Sequence, residues 1–279
     1  MEGQIVKISS DLYFVSAMDT IYPCKCRGIF RKEHITPVVG DYVFFDAEKK
    51  VIEKIFPRKN VLDRPKVSNI DQAILVTSLK EPDFSLHLLD KFLVLCEVND
   101  IQPIICVTKG DLVKQEELKE YEEILKYYKD LGYPVVWNTD VVSLEKILKE
   151  KTSVFTGQTG AGKSTLLNKL NPEWNLETGE ISHALGRGRH TTRVVELFPF
   201  LGGKVMDTPG FSALSLEKYS KEQIRKAFLE FSKYPCPFPD CSHTKETDCV
   251  VKNKVLENYI MKSRYLHYLQ FIGGKEYES

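Results

Sequence analysis

Long apolar runs are missing from this chain of 279 residues. No stretch approaches the roughly 20 consecutive apolar residues that a membrane-crossing helix needs. The start, Met1-Glu2-Gly3-Gln4, lacks the basic stretch and apolar core of a signal peptide. A cytoplasmic protein without a membrane partner is therefore expected. Net charge is missing too: Lys+Arg and Asp+Glu are both 39. No global field draws in nucleic acid, so any RNA contact must use local patches. An even cysteine count is also absent. Seven cysteines without a secretion signal argue against a disulfide framework and for metal or core roles in a reducing compartment. Internal repeats and low-complexity tracts are absent as well. What remains is ample length for a hydrophobic core and about one to three domains.

Residues 1 to about 62 read as all-β. Gln4–Ile8, Leu12–Val15, Lys25–Phe30, Asp41–Phe45 and Lys50–Ile55 are short, partly alternating runs split by turn residues. That pattern suits a small OB-fold-like barrel, whose face and loops often bind oligonucleotides. Lys25, Arg27, Arg31 and Lys32, with Phe30 and Tyr42, are available for such a role, and an ordinary barrel with a solvated charged face fits equally. Cys24-x-Cys26 has no second pair nearby and reads as two thiols rather than a metal site. Residues 57–65 read as a linker. Beyond it, near-continuous apolar runs at 70–77, 103–108 and 134–138 alternate with helical patterns at 86–98, 115–131 and 143–149. This predicts an α/β domain with a parallel sheet and ligands at the carboxyl ends of its strands.

The sharpest signal is Gly157-Gln158-Thr159-Gly160-Ala161-Gly162-Lys163-Ser164-Thr165, which fits G-x-x-x-x-G-K-[ST]. The apolar Val154-Phe155 precedes it, and a helical run to Leu170 follows, ending at Asn171-Pro172. Glycines let backbone N–H groups turn onto phosphate oxygens, and the helix N-terminus adds a positive dipole end. Lys163 would reach the β- and γ-phosphates and Ser164 would ligate Mg²⁺. Two further motifs follow predicted strands: Thr108-Lys109-Gly110-Asp111 and Asp207-Thr208-Pro209-Gly210. An aspartate at such a place can accept two hydrogen bonds from the guanine edge, a pair that adenine does not offer. Lys109 would lie along the base, Asp207 would hold Mg²⁺, and the Gly210 N–H would meet the γ-phosphate. Alone, the T-K-x-D string also fits a helix N-cap aspartate. A P-loop kinase or ATPase is the rival within the same enzyme class.

Together these motifs resemble the translation-factor-related GTPases, with Thr108 where that group usually has Asn. The guanine motif here precedes the P-loop, whereas ordinary GTPases place it after. That circular permutation, with the flanking segments, resembles the RsgA (YjeQ/YloQ) family of small ribosomal subunit biogenesis GTPases over essentially the whole chain. The resemblance implies a barrel over 1–62, a permuted GTPase domain over 63–212 and a helical zinc-binding domain over 213–279. It implies a GTPase active in late small-subunit assembly, a monomer that binds the small subunit and its rRNA as well as GTP and GDP. It also bears on Gly186–Arg193. There a switch threonine, Thr192 in preference to Thr191, would complete the Mg²⁺ shell, and His190 would align the attacking water. Position 211, where many GTPases carry a water-orienting glutamine, is Phe211. The competing readings are that His190 contacts RNA or simply decorates a loop. Asn138-Thr139 stands where a guanine-edge S-A motif is common.

Beyond a helical pattern over 216–233, Cys236, Cys241, His243 and Cys249 follow as C-x4-C-x-H-x5-C. Three thiolates and an imidazole can close a tetrahedral Zn²⁺ site with no open position, so one structural zinc is expected. The spacing matches the knuckle of the family that the chain resembles. A terminal helix is predicted over 255–269. The alternative from a different class is an RNA-binding assembly factor in which hydrolysis is incidental.

Overall fold

The computed structural model describes residues 1–28, 30, 35–63, 66–174, 195–207 and 215–273. Five strands close a barrel: β1 (Glu2–Ser9), β2 (Leu12–Ala17), β3 (Thr20–Cys26), β4 (Tyr42–Asp46) and β5 (Val51–Ile55), in the order β1-β2-β3-β5-β4 with β4 returning to β1. The alternation in the sequence sorts the two faces. Ile5, Val15, Cys24, Val43, Phe45 and Ile52 fill the interior, while Tyr42 and Phe44 face outward. The third strand starts at Thr20 rather than at 25, as expected from sequence. Met18 and Asp19 both adopt positive φ, so the hairpin turns in two residues and the strand resumes at once.

The predicted linker is a structured joint. β6 (Val61–Asp63) pairs antiparallel with β7 (Lys66–Ser68), and Leu62 and Val67 are buried in the largest core cluster. Asp41, fully buried, accepts hydrogen bonds from Arg58 Nε at 2.7 Å, Arg58 Nη2 at 2.8 Å, Ser68 Oγ at 2.6 Å and the Val38 N–H at 2.8 Å. Asn60 donates to Ile70 O and Asp100 O. Prolines and charges made this stretch read as solvated. Its polar groups are satisfied by partners distant in sequence instead. A second tie joins the barrel to the chain near 196: the Leu197 N–H donates to Val6 O at 2.8 Å, and Lys7 pairs with Glu196 at 2.6 Å.

The central sheet has six strands. β8 (Gln72–Ser78), β9 (Gln102–Thr108), β10 (Val135–Trp137), β11 (Thr152–Gly157), β12 (Phe198–Phe200) and β13 (Gly203–Asp207) lie in the order β10-β9-β8-β11-β13-β12. All pairs are parallel except β12 with β13. β12, an edge strand holding Pro199, was not foreseen; proline is tolerated at an edge because it has no N–H to donate. Both faces are covered, as a parallel sheet requires. Leu75, Val107, Val154 and Met206 pack on the side of α1 (Leu86–Glu97) and α2 (Gln115–Leu131). Ile74, Ile104, Phe155 and Val205 pack with α3 (Val141–Leu148) and α4 (Lys163–Leu170).

The C-terminal segment breaks two predicted helices into four. The pattern at 216–233 becomes α5 (Lys221–Lys226) and α6 (Leu229–Ser232); that at 255–269 becomes α7 (Val250–Leu256) and α8 (Lys262–Gly273). Ser220 and Gln223 form a capping box that starts α5, and Asn258, at φ 62°, turns the chain between α7 and α8. Apolar periodicity continues through such breaks, so it does not mark them. Phe228, Phe231, Tyr268 and Ile272 share one core cluster with Leu93 and Val94 of α1. At this joint Arg264, fully buried, binds Glu230 at 2.7 and 2.9 Å and Asp90 at 2.7 Å. Asp90 also accepts from Tyr128 at 2.6 Å and meets His267 Nδ1 at 2.5 Å. Among the described residues, no helix is long and apolar enough to cross a membrane.

Candidate functional site: the strand ends and the cysteine knuckle

β11 lies between β8 and β13, so the loop that leaves its carboxyl end sits at the centre of the sheet. Gly157 has φ 152°, and a Cβ there would collide with the Val76 carbonyl of β8. Only glycine lets the loop leave so close to its neighbour. Gly162, at φ 93°, caps α4 and turns its first N–H groups towards the loop. Lys163 Nζ donates to Gly157 O at 2.9 Å and Gln158 O at 2.8 Å, which lays its ammonium across the loop. Ser164 is half-buried in the first turn of α4; Thr159, Gly160 and Thr165 are exposed, and Ala161 is buried.

The upstream motif converges on the same place. Thr108 ends β9, is buried, and donates from Oγ1 to Ala161 O at 2.7 Å. The threonine that stands in place of the usual asparagine therefore fastens the guanine motif to the P-loop. Lys109 sits in the left-handed region at φ 57° and donates to the Glu81 carbonyl. A Cβ on Gly110 would press on the Trp137 ring, and Asp111 is exposed in the turn that follows. Pro82 and Glu81, next to Gly160 and Lys109, and Trp137 at the end of β10 are site residues that sequence reasoning missed. Nothing in their local pattern marks the first two; Trp137 is one of only two tryptophans and ends a strand, which was a usable signal.

Asp207 is the last residue of β13 and stands in register with Phe155 of β11. The strand that carries it therefore ends beside the strand that leads into the P-loop. Mg²⁺ takes few protein oxygen ligands and keeps the rest for water and phosphate, and a serine hydroxyl and an aspartate carboxylate are ligand types of that class. Gly210, His190, Thr191 and Thr192 lie outside the described residues.

The second cluster is at the C-terminal module. Cys236 is half-buried and Cys241, His243 and Cys249 are buried, with their ligand atoms all within 4.8 Å of one another. Cys236 Sγ is 3.8 Å from Cys249 Sγ and 3.5 Å from His243 Nδ1, and Cys249 Sγ is 3.4 Å from that nitrogen. Bond lengths of about 2.3 Å to sulfur and 2.05 Å to nitrogen in a tetrahedron give edges of about 3.8 Å and 3.5 Å. The donor set fits zinc. Its loop is held from outside by Tyr265 Oη on His243 O at 2.7 Å, Tyr268 Oη on Ser242 O at 2.6 Å and Arg225 on Cys241 O at 2.8 Å. Glu246 organises it from within. Burial opposes its charge, but N–H groups of Glu246, Ser242 and Thr244 and the Ser242 hydroxyl outweigh this and hold its carboxyl down to about 2. The other pair considered, Cys24 and Cys26, has its first thiol sealed in the barrel core.

A P-loop and a guanine motif on the carboxyl ends of one parallel sheet, with the guanine strand earlier in the chain, define a circularly permuted P-loop GTPase. The comparisons agree. Residues 55–217 match the family model described as RsgA GTPase, and residues 2–52 match the RsgA N-terminal domain. The small ribosomal subunit biogenesis GTPase RsgA of Streptococcus pneumoniae is 48% identical, over 99% of this chain and 95% of that protein. The crystal structure of YjeQ from Thermotoga maritima covers 100% of this chain and 99% of its own, at 34% identity and a TM-score of 0.86. YloQ, solved as a circularly permuted GTPase, covers 98% and 94% at 38% identity and a TM-score of 0.82. The chain belongs to the RsgA family of GTPases and is a GTP hydrolase.

Proposed function

We propose that this GTPase binds the small ribosomal subunit during late assembly and hydrolyses GTP in order to leave it. The observation that carries the catalytic half is the hydrogen bond from Thr108, at the end of β9, to Ala161 of the P-loop, with β13 and its terminal Asp207 paired beside the P-loop strand β11. The subunit comes from the names of the relatives, which are small ribosomal subunit biogenesis GTPases. In this reading Asp111 accepts the guanine N1–H and N2–H₂, Lys109 lies along the base, and the 157–165 backbone with Lys163 holds the phosphates. Ser164, Asp207 and Thr192 would hold the magnesium ion, which would supply positive charge to offset that of the phosphates. The Gly210 N–H senses the γ-phosphate. His190 takes the water-orienting place that Phe211 cannot fill, because a phenyl ring neither donates nor accepts a proton.

The work divides among a barrel over 1–62, a GTPase domain over 63–212 and a zinc-bearing helical domain over 213–279. The outer two grip rRNA while the middle one reports the nucleotide. Cys236, Cys241, His243 and Cys249 hold one structural zinc that orders their loop and leaves no position for substrate. The test is GTP hydrolysis with and without purified small subunits. Strong stimulation by small subunits and not by large ones is expected; none from either would remove the ribosomal assignment. His190→Ala should keep GTP binding, lose hydrolysis and remain trapped on the subunit.

A further inference from the structure

The barrel carries an outward cluster that matches the contacts expected from sequence only at Tyr42. Phe30, which looked available for nucleic acid, is buried, and Arg27 is engaged with Glu53 at 2.9 Å; Arg31 and Lys32 lie outside the described residues. Of the two rings expected from sequence, Tyr42 is the exposed one, and Phe44 stands beside it. Tyr42 and Phe44 retain 48% and 40% of their surface on the outer face of β4. Lys54 of β5 stands directly opposite Phe44 in the ladder. Phe56 follows, its N–H bonded to Tyr42 O at 2.9 Å and its ring 5.3 Å from Lys54 Nζ. Burial, and then the nearby Asp71 carboxylate, raise the Tyr42 phenol. The patch thus reaches the Lys59–Asp71 pair at the joint between barrel and sheet.

We propose that Tyr42, Phe44, Lys54 and Phe56 form a stacking platform for single-stranded RNA. This deepens the ribosome-binding reading above and rests on it. Large rings left half in water on a strand pair cost solvation that an ordinary solvated face avoids. A protein partner is the poorer fit, because Lys54 stands in the middle of the patch and interface cores are depleted of lysine. RNA satisfies both features: each base offers a face to a ring, and the backbone offers phosphate to the ammonium. Duplex RNA is recognised through its groove shape and 2′-hydroxyls, which leaves exposed rings without a role. Residues two apart on a strand are separated by about 6.8 Å. That is twice the roughly 3.4 Å rise between stacked bases, so Tyr42 and Phe44 are spaced to receive unpaired bases of one strand. Carboxylates border the patch at Glu2, opposite Phe44 on β1, and at Asp71 near Tyr42, and they limit the phosphate path to the Lys54 side.

The test uses the full-length protein and a short fluorescein-labelled oligouridylate, read by anisotropy across a salt series. Phe44→Ala is expected to weaken binding about tenfold without changing the salt slope. Lys54→Ala should reduce the slope by about one, since it removes one phosphate contact. A self-complementary duplex of the same length should bind more weakly than the single strand. Absence of single-strand binding by the unaltered protein, equal or tighter duplex binding, or affinities unaltered in both variants would each overturn the platform. Failure of small subunits to stimulate hydrolysis would instead defeat the broader reading and leave the oligonucleotide result standing.

Discussion

The phosphate loop and the cysteine knuckle hold their ligands in opposite ways. The loop is made of backbone: Gly157 and Gly162 turn N–H groups inward, and two flanking strands fix where the loop begins. Its form follows from a sheet with its own core. The knuckle is made of side chains from a segment that the described structure leaves almost without regular secondary structure before α7. It leans on tyrosines from α8 and an arginine from α5. A site built on a sheet should survive loss of its ligand, whereas one built on its ligand should not.

The largest effect that could break this contrast is removal of metal. Chelation should release the order of residues 236–249, seen as collapse of their amide dispersion by NMR, while GTP affinity is retained. Structural zinc contributes on the order of 10 kcal/mol to small modules, so partial loss of order is not the expected result. A parallel fall in GTP affinity would show that the knuckle supports the loop after all. Next is the joint between the two regions. Arg264→Ala strands the buried Asp90 and Glu230 carboxylates and should cost about 3–5 kcal/mol in urea unfolding. The same joint sets an acid limit. Burial works against the Asp90 charge, but Arg264, His267 and Tyr128 outweigh it and lower its pKa. Its contribution is therefore present above the unfolded value near 4 and lost as pH falls through the lower folded value. Unfolding midpoints should drop below about pH 4, and by less in Asp90→Asn.

Lys163→Ala should lower GTP affinity or turnover at least about 100-fold with no matching loss of stability, because the sheet does not depend on that ammonium. A smaller change sharpens the comparison most. Thr108→Val keeps the shape and removes the bond to Ala161 O, at a cost of about 1 kcal/mol. GTP affinity should fall by up to about tenfold if the bond positions the loop. Thr108→Asn, which restores the usual guanine-motif residue, tests whether that side chain can make the same link.

How much was legible beforehand follows the same divide. The P-loop could be read because backbone chemistry demands glycine, lysine and serine at fixed spacing. The cluster of Cys236, Cys241, His243 and Cys249 could be read because cysteine and histidine at such close spacing are the residue types that suit zinc. The joint at 57–65 reads as a linker because its prolines and charges carry no local sign of Arg58 and Ser68 meeting Asp41, or of Asn60 meeting Ile70 and Asp100. Thr108 looked like a weakened asparagine until its hydroxyl was found on the P-loop. Of the two barrel rings named from sequence, Tyr42 is exposed and Phe30 is buried, because the third strand starts earlier than its pattern suggests and ends at Cys26, before Phe30.

By itself, the order of residues determined the permuted arrangement of motifs, the alternation of strands and helices, and the two ligand chemistries. Each of these rests on spacing along the chain or on the identity of a side chain. Only the tertiary structure decided what joins the parts: the hairpin that seals the barrel to the sheet and the Arg264 cluster under the knuckle. Those depend on contacts between residues far apart in sequence, where burial rather than local propensity selects the partner.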